Sequence, residues 1–153
     1  MGKMSMEPQN GQTFDRASAM GLLARADATR LEALFPELPA HALLRGPETG
    51  AVMVRGRQGG TGAPFNLGEM TVTRCALALQ DGTVGHGYVQ GRSKAKAEVA
   101  AKIDALMQTG AAGDLRAAVL APLEAERGAA KEARAAKAAA TKVDFFTMVR
   151  GED

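Results

Sequence analysis

The dipeptide Asp81-Gly82 joins two stretches with alternating side chains, EMTVTRCALALQ (residues 69–80) and TVGHGYVQ (residues 83–90). An Asp-Gly pair between alternating stretches is a strong signal for a two-residue β-hairpin turn. The sequence therefore predicts an antiparallel hairpin at this point of the chain. A two-residue turn also fixes the pairs on one face, which are Leu79 with Val84, Leu77 with His86, and Cys75 with Tyr88.

This register leaves the other face of the hairpin almost without side chains. There, Ala78 pairs with Gly85 and Ala76 pairs with Gly87. A face without bulky side chains allows a helix or another backbone to approach closely. The occupant is either a helix of this chain or the surface of a partner, and the sequence favours neither. Gly85 and Gly87 are therefore candidate residues of a partner interface.

Elements on both sides of the hairpin complete the prediction of an α+β fold. Thr13 is a suitable N-cap for a helix that runs to about Ala26, and Asp27 caps a second helix that ends at Pro36. Residues 45–50 (RGPETG) predict a turn. After the hairpin, the predicted elements are a packed helix over 94–108 capped by Ser93 and a further helix that starts at Asp114. Pro122 either kinks this helix or restarts it at a first-turn position, and from there to about Lys142 the chain predicts a long Ala-rich helix.

Three parts of the chain differ in composition. Residues 1–12 are polar and predict a disordered N-terminus, residues 13–124 predict an α+β core domain, and residues 125–153 predict an Ala-rich helical arm with a docking tail. The tail contains Phe145 and Phe146, two of only five phenylalanines. We expect both to dock onto a partner, the alternative being that they fold back onto this domain.

The chain is short of large apolar side chains. Leu, Ile, Val and Phe supply 29 of 153 residues, 31 residues are Ala, and there is no Trp. Because stabilisation scales with buried apolar area, at roughly 25 cal/mol per Å², the core of the isolated chain should be thin. We expect another chain to supply part of the burial.

The segment GAPFNLGEMTVTRC (residues 62–75) has the composition of a functional loop that runs into a strand. Glycines before and within it permit an unusual backbone path, and the Pro-Phe-Asn triplet predicts a corner. We interpret it as a segment shaped by a neighbouring subunit. Its candidate partner-interface residues are Gly62, Pro64, Phe65 and Asn66.

Few residues of this chain are suited to catalysis. Cys75 is the only cysteine, the predicted register places Tyr88 rather than a base beside it, and His86 lies further along a packed face. His41 lies in a segment predicted to be irregular. Two histidines and one cysteine cannot supply a closed zinc site, so no metal or cofactor is expected. No aromatic residues interleave the basic residues of the Ala-rich helix, and no stretch approaches 18 apolar residues, so neither nucleic acid nor a membrane is expected as a partner.

Three stretches resemble the PhnG family, the smallest subunit of the bacterial carbon–phosphorus lyase core complex. They are residues 47–75, residues 81–108 and the terminal VDFFTMVRG (residues 143–151). The resemblance implies a cytoplasmic, two-fold symmetric hetero-oligomer with PhnH, PhnI and PhnJ. It also implies that PhnG, PhnH, PhnI and the accessory PhnL form alpha-D-ribose 1-methylphosphonate 5-triphosphate from ATP and methylphosphonate, with release of adenine.

The resemblance carries no catalytic residue onto this chain, and it leaves two further functions open. The positive charge of the chain is concentrated in residues 51–100, with 6 − 3 = +3 there against −1 and 0 in the flanking parts. Arg55, Arg57 and Arg74 are therefore candidate anion contacts to the triphosphate of a nucleotide. An independent enzyme that uses Cys75 or His86 is the other alternative. We expect an accessory subunit that is non-catalytic alone.

Overall fold

The structure is a computed structural model that describes residues 15–36 and 39–143. It confirms the α+β fold class, with a three-stranded antiparallel sheet in the order β1-β2-β3. The helices and strands, in chain order, are α1 (Arg16–Arg25), α2 (Ala28–Leu34), β1 (His41–Arg57), β2 (Pro64–Leu79), β3 (Val84–Gln90), α3 (Lys94–Leu106), α4 (Ala112–Leu115) and α5 (Ala121–Ala140).

The β2–β3 hairpin exists, but its predicted register is wrong by one residue. The loop contains three residues instead of two, because the Leu79 N–H bonds to the carbonyl oxygen of Thr83 at 2.9 Å. Gly82 takes a φ of +87° as the last loop residue, which suits glycine. The Asp81 carboxylate accepts the N–H of Thr83 at 2.9 Å and fixes the turn. An Asp-Gly pair fits this longer loop as well as the shorter one.

The corrected register changes the composition of both hairpin faces. Leu77 now pairs with Gly85, and Cys75 pairs with Gly87, so the bulky side chains of β2 share a face with the glycines of β3. Helix α3 packs on this face. A Cβ on Gly85 would overlap the carbonyl oxygen of Ala101, and a Cβ on Gly87 would overlap the carbonyl oxygen of Ala97, one helical turn earlier.

The bare surface at the two glycines is therefore filled by a helix of this chain. This was one of the two occupants that the sequence left open, and it removes Gly85 and Gly87 from the candidate partner interface. The physical reason is that residues 97, 101 and 105 of α3 are all Ala and wholly buried. Small side chains on the helix and glycines on the strand together allow backbone contact.

The core lies between α3 and the N-terminal helices. Asp27 caps α2 and Ser93 caps α3 as predicted, each by accepting a backbone N–H. The cap of α1 is Asp15, whose carboxylate accepts the Ser18 N–H at 2.6 Å, and not Thr13, which lies outside the described residues. Leu23, Leu31 and the α3 side chains form one apolar cluster with the covered face of the sheet.

Strands β1 and β2 are much longer than predicted. The predicted turn at residues 45–50 lies inside β1, which absorbs it through irregularities in register. The predicted corner at Pro64, Phe65 and Asn66 is also wrong, since these residues pair with the end of β1. The turn is made by residues 58–63 instead, where Gly59 and Gly60 have positive φ.

The end of this long hairpin extends beyond the core. We call residues 51–70 the ribbon, because none of them is buried. Helix α5 extends from the core in a similar way, with Leu123 as its buried residue and residues 125–140 exposed. It follows a wider π-helical turn at Arg116–Leu120, just before Pro122. Residues 1–12, Phe145 and Phe146 lie outside the described residues, so their predictions stay untested.

Candidate functional site

The structure separates Cys75 and His86, the two residues best suited to catalysis. Cys75 is buried beneath α3, opposite Gly87 and not opposite Tyr88 as predicted. The His86 side chain is exposed on the other face of the sheet. Burial raises the pKa of the Cys75 thiol, with the nearby Glu98 acting in the same direction and Lys102 against it. A neutral, covered thiol without an adjacent base is a poor nucleophile.

Other potential reactive groups are also dispersed. His41 begins β1, contrary to the predicted irregular segment, and its Nδ1 lies 3.3 Å from the Pro39 carbonyl oxygen. Within residues 15–36 and 39–143, no three His, Cys, Asp or Glu residues come close enough to hold a metal ion. None of the helices in that part of the chain has the length and apolarity needed to cross a bilayer.

The three candidate anion contacts do not converge. Arg55 and Arg57 alternate along β1 on one face of the ribbon, and the Arg57 Nη1 donates to the Gly62 carbonyl oxygen at 3.2 Å. Arg74 lies on the opposite face, with its Nη2 at 3.5 Å from the Glu48 carboxylate. All three are exposed. A single phosphate group cannot be held by side chains on opposite faces of one sheet.

Asp104 is the most highly connected polar side chain in the fold. It is 5% exposed, and its two oxygens accept hydrogen bonds from the Arg16 Nε at 2.8 Å and Nη2 at 2.7 Å. It also accepts the His86 backbone N–H at 2.9 Å. The hydrogen bonds to Asp104 raise the pKa of Arg16. The carboxylate thus ties α1 and β3 to α3, which is a structural task and not a catalytic one.

The face of the sheet opposite α3 contains several exposed apolar side chains. We call it the open face. Paired residues on adjacent strands share a face, and successive residues alternate between faces. Phe65 and Leu67 belong to the open face, because each lies 3.7 Å from the position of a Cβ built on Gly56. Its apolar residues include Val52, Val54, Phe65, Leu67, Met70, Val72, Val84 and Tyr88.

Much of this apolar surface is accessible to solvent. Leu67 is 66% exposed, Phe65 is 45% exposed and Tyr88 is 44% exposed. Val72 is buried at the centre of the face. Large contiguous apolar surface on a folded chain marks interaction sites more often than scattered single residues do.

A groove of about 600 Å³ crosses the open face at the base of the ribbon. Val52 and Val72 form its apolar floor together with the backbone of Gly50. Its rim is polar, and the rim residues are Glu48, Arg74, Tyr88 and Lys94. Glu48 lies 3.8 Å from the Arg45 Nε and 3.5 Å from the Arg74 Nη2. The groove has the composition of an interface, with an apolar centre and a charged edge.

The sequence prediction covered only part of this surface. Phe65 lies on it, and Pro64 and Asn66 are exposed on the other face of the same strand. Gly62 lies in the turn at the end of the ribbon. Sequence reasoning missed Leu67 and Tyr88, since the incorrect register placed Tyr88 in a packed face. The alternation of Val52 and Val54 in residues 51–57 indicated an apolar strand face, but it did not show which residues of the next two strands share that face.

Comparisons with known proteins agree with this picture of a subunit. The family model for the phosphonate metabolism protein PhnG matches residues 14–151. A relative from Rhizobium meliloti (strain 1021), named alpha-D-ribose 1-methylphosphonate 5-triphosphate synthase subunit PhnG, is 48% identical over 141 residues. That similarity covers 90% of this chain and 90% of the relative. The resemblance seen in the sequence is confirmed, and the chain belongs to the PhnG family.

Proposed function

We propose that the chain is an accessory subunit of an alpha-D-ribose 1-methylphosphonate 5-triphosphate synthase in phosphonate catabolism. The observation that carries the proposal is the 48% identity, over nine-tenths of both chains, to a relative named as such a subunit. Identity at that level along nearly the whole length is difficult to reconcile with a different quaternary role. The PhnG family model supports the same assignment.

The distribution of side chains supports a non-catalytic role. Cys75 is covered and His86 is exposed on the other face, so a Cys–His pair is disfavoured. Arg74 lies on the face opposite Arg55 and Arg57, which disfavours a shared contact to a triphosphate. The reaction displaces adenine from the ribose of ATP by methylphosphonate. Other subunits supply the groups that act on the glycosidic bond, and this chain stabilises their arrangement.

The subunits assigned as partners are PhnH, PhnI and PhnJ, with PhnL as an accessory protein, in a two-fold symmetric cytoplasmic assembly. Two surfaces of this chain suit that role. The ribbon presents Phe65 and its exposed neighbours, and α5 leads to a tail with Phe145 and Phe146. We assign both to subunit contacts, with Gly62, Pro64 and Asn66 at the end of the ribbon.

The experiment is reconstitution of the synthase with and without this chain. Omission is expected to abolish adenine release from ATP in the presence of methylphosphonate, and addition of the purified chain is expected to restore it. Pull-downs against PhnH, PhnI and PhnJ separately identify the direct contact. A complex that assembles and releases adenine at full rate without this chain would refute the proposal.

A matched variant separates assembly from chemistry. Cys75→Ala in the reconstituted synthase should leave the turnover rate unchanged, because the thiol is buried away from solvent. Single Arg55→Ala, Arg57→Ala and Arg74→Ala variants should lower adenine release only as far as they lower assembly. Loss of activity in a variant that assembles fully would favour direct contact with the nucleotide instead.

A further inference from the structure

Glycines lie on both faces of the sheet, but only on the covered face does the packing within this chain require a residue without a side chain. Gly85 and Gly87 make room for α3. On the open face, Gly50 pairs with Val72 and Gly68 pairs with Val54, and a Cβ on either glycine would meet nothing within 4 Å. Neither glycine has a positive φ, so backbone conformation does not require them.

The groove supplies a second, independent observation. Val52 and Val72 line it beside the polar residues Glu48, Arg74 and Lys94, and its volume of about 600 Å³ is open to solvent. The apolar surface continues from the groove onto the ribbon through Val54, Phe65 and Leu67. An extended apolar floor with an open entrance suits one face of an α-helix, which is about 10 Å wide with its side chains.

The charge at the rim restricts what can bind. Arg74 and Lys94 carry positive charge there, and Glu48 is the opposing acidic residue, which gives 2 − 1 = +1. Two copies of the open face would therefore repel each other when stacked. A binding surface with carboxylates beside its apolar residues would complement the rim.

We infer that the open face is the docking site for an amphipathic helix of another synthase subunit. The apolar side of that helix lies in the groove over Gly50 and Val72, and acidic residues on its flank pair with Arg74 and Lys94. This inference rests on the proposed function, because the partner belongs to the same synthase. The sheet would then hold one helix on each face, its own on one and the partner's on the other.

The first experiment uses charge reversal in the co-expressed full-length complex. Arg74→Glu should weaken co-purification of the tagged chain with the other subunits at least about tenfold, since it places a second carboxylate beside Glu48 on the rim. Arg25→Glu is the control, since Arg25 is exposed on α1, which packs on α3 and β3 away from the ribbon, and it should change retention less than about twofold. Equal retention of both variants at the wild-type level overturns the inference.

The second experiment identifies the occupant directly. A benzophenone amino acid in place of Tyr88 is photolysed in the purified complex, with the same substitution at Met53, on the opposite face, as the control. The expected product joins position 88 to a helical peptide of another subunit that contains Asp or Glu, and mutation of that acid to Lys should rescue Arg74→Glu.

Other products are equally informative. Adducts with residues 144–153 of the same chain, or with a second copy, overturn the inference and leave the proposed function intact. If the variant with benzophenone at position 88 assembles with the other subunits but forms no adduct, the inference is also overturned and the proposed function stays intact. Failure of the wild-type chain to co-purify with any synthase subunit would overturn the proposed function as well.

Discussion

The two faces of the sheet have similar apolar content but opposite exposure. On the covered face, Leu77 is fully buried beneath α3, and the glycines of β3 are in contact with the helix backbone. On the open face, Leu67 is 66% exposed and Gly50 has nothing within 4 Å of its missing Cβ. The chain thus completes the packing of one face by itself and leaves the other uncovered.

This difference explains how a chain with few large apolar residues can still fold. Its small core lies among α1, α2, α3, residues 115–123 and the covered face. The ribbon and most of α5 contribute almost nothing to that core. Substitutions on the covered face should therefore lower the stability of the isolated chain. Substitutions on the open face should instead weaken assembly with other subunits.

Gly85→Ala should have the largest effect on the isolated chain. The added methyl would overlap the carbonyl oxygen of Ala101, and a helix backbone cannot move aside without leaving the sheet. We expect a loss of about 3 kcal/mol or more, or failure to fold. Urea denaturation monitored by circular dichroism measures the change.

The matched substitution on the open face is Gly50→Ala. Open space surrounds its Cβ position, so the free energy of unfolding should change by less than about 0.5 kcal/mol. Comparable destabilisation by both substitutions would mean that the two faces do not differ as described.

Leu77→Ala compared with Leu67→Ala tests the same contrast with large side chains. Truncation of the fully buried Leu77 removes transfer free energy and leaves a cavity, so we expect a loss of about 3 kcal/mol. Leu67→Ala should cost less than about 0.5 kcal/mol in the isolated chain. Thermal melts of both variants provide the measurement, and a substantial cost at Leu67 would show that the ribbon packs more firmly than its exposure indicates.

Asp104→Ala tests the polar connection between the layers. Removal of the carboxylate leaves the His86 N–H without its acceptor and frees Arg16, so a loss of about 2 kcal/mol is expected. The control is Glu126→Ala, which breaks the exposed pair with Arg30 at 2.7 Å and should cost less than about 1 kcal/mol. Equal losses of unfolding free energy for Asp104→Ala and Glu126→Ala in chemical denaturation would contradict the view that the buried carboxylate contributes more than the exposed one.

Local sequence signals predicted the elements well but not their extent. The caps at Asp27 and Ser93 and the existence of the hairpin follow from short-range chemistry, and the structure confirms them. The extension of β1 through Pro47 could not be predicted, because a register irregularity accommodates a residue that normally ends a strand.

The open face could not be predicted because it depends on register. A shift of one residue moves every side chain to the other side of a sheet. The Asp81-Gly82 pair suits both a two-residue and a three-residue loop, and the wrong choice placed Tyr88 beside Cys75. Tertiary packing decides between them, since only the observed register places Gly85 and Gly87 on the same face as Leu77 and Cys75, beneath α3.

Lys102→Met should have a smaller effect than Asp104→Ala and the opposite sign. Lys102 is 1% exposed, and burial lowers the pKa of its ammonium, with Glu98 and Cys75 acting against that shift. The folded chain therefore disfavours the charged form at neutral pH, and an apolar side chain of similar length should stabilise it by about 1 kcal/mol. Lys96→Met is the control and should be destabilising, because the Lys96 ammonium donates to the Ala24 carbonyl oxygen at 2.8 Å.

The pH dependence of the Lys102 effect follows from its lowered pKa. Between the folded pKa and the higher unfolded pKa of about 10.4, the unfolded chain binds more protons, so wild-type stability rises with pH. The advantage of Lys102→Met is therefore complete below the folded pKa and shrinks as the pH rises through it. Denaturation at neutral and alkaline pH measures this trend. An advantage that grows with pH would mean that the folded chain stabilises the charged ammonium, contrary to its lowered pKa.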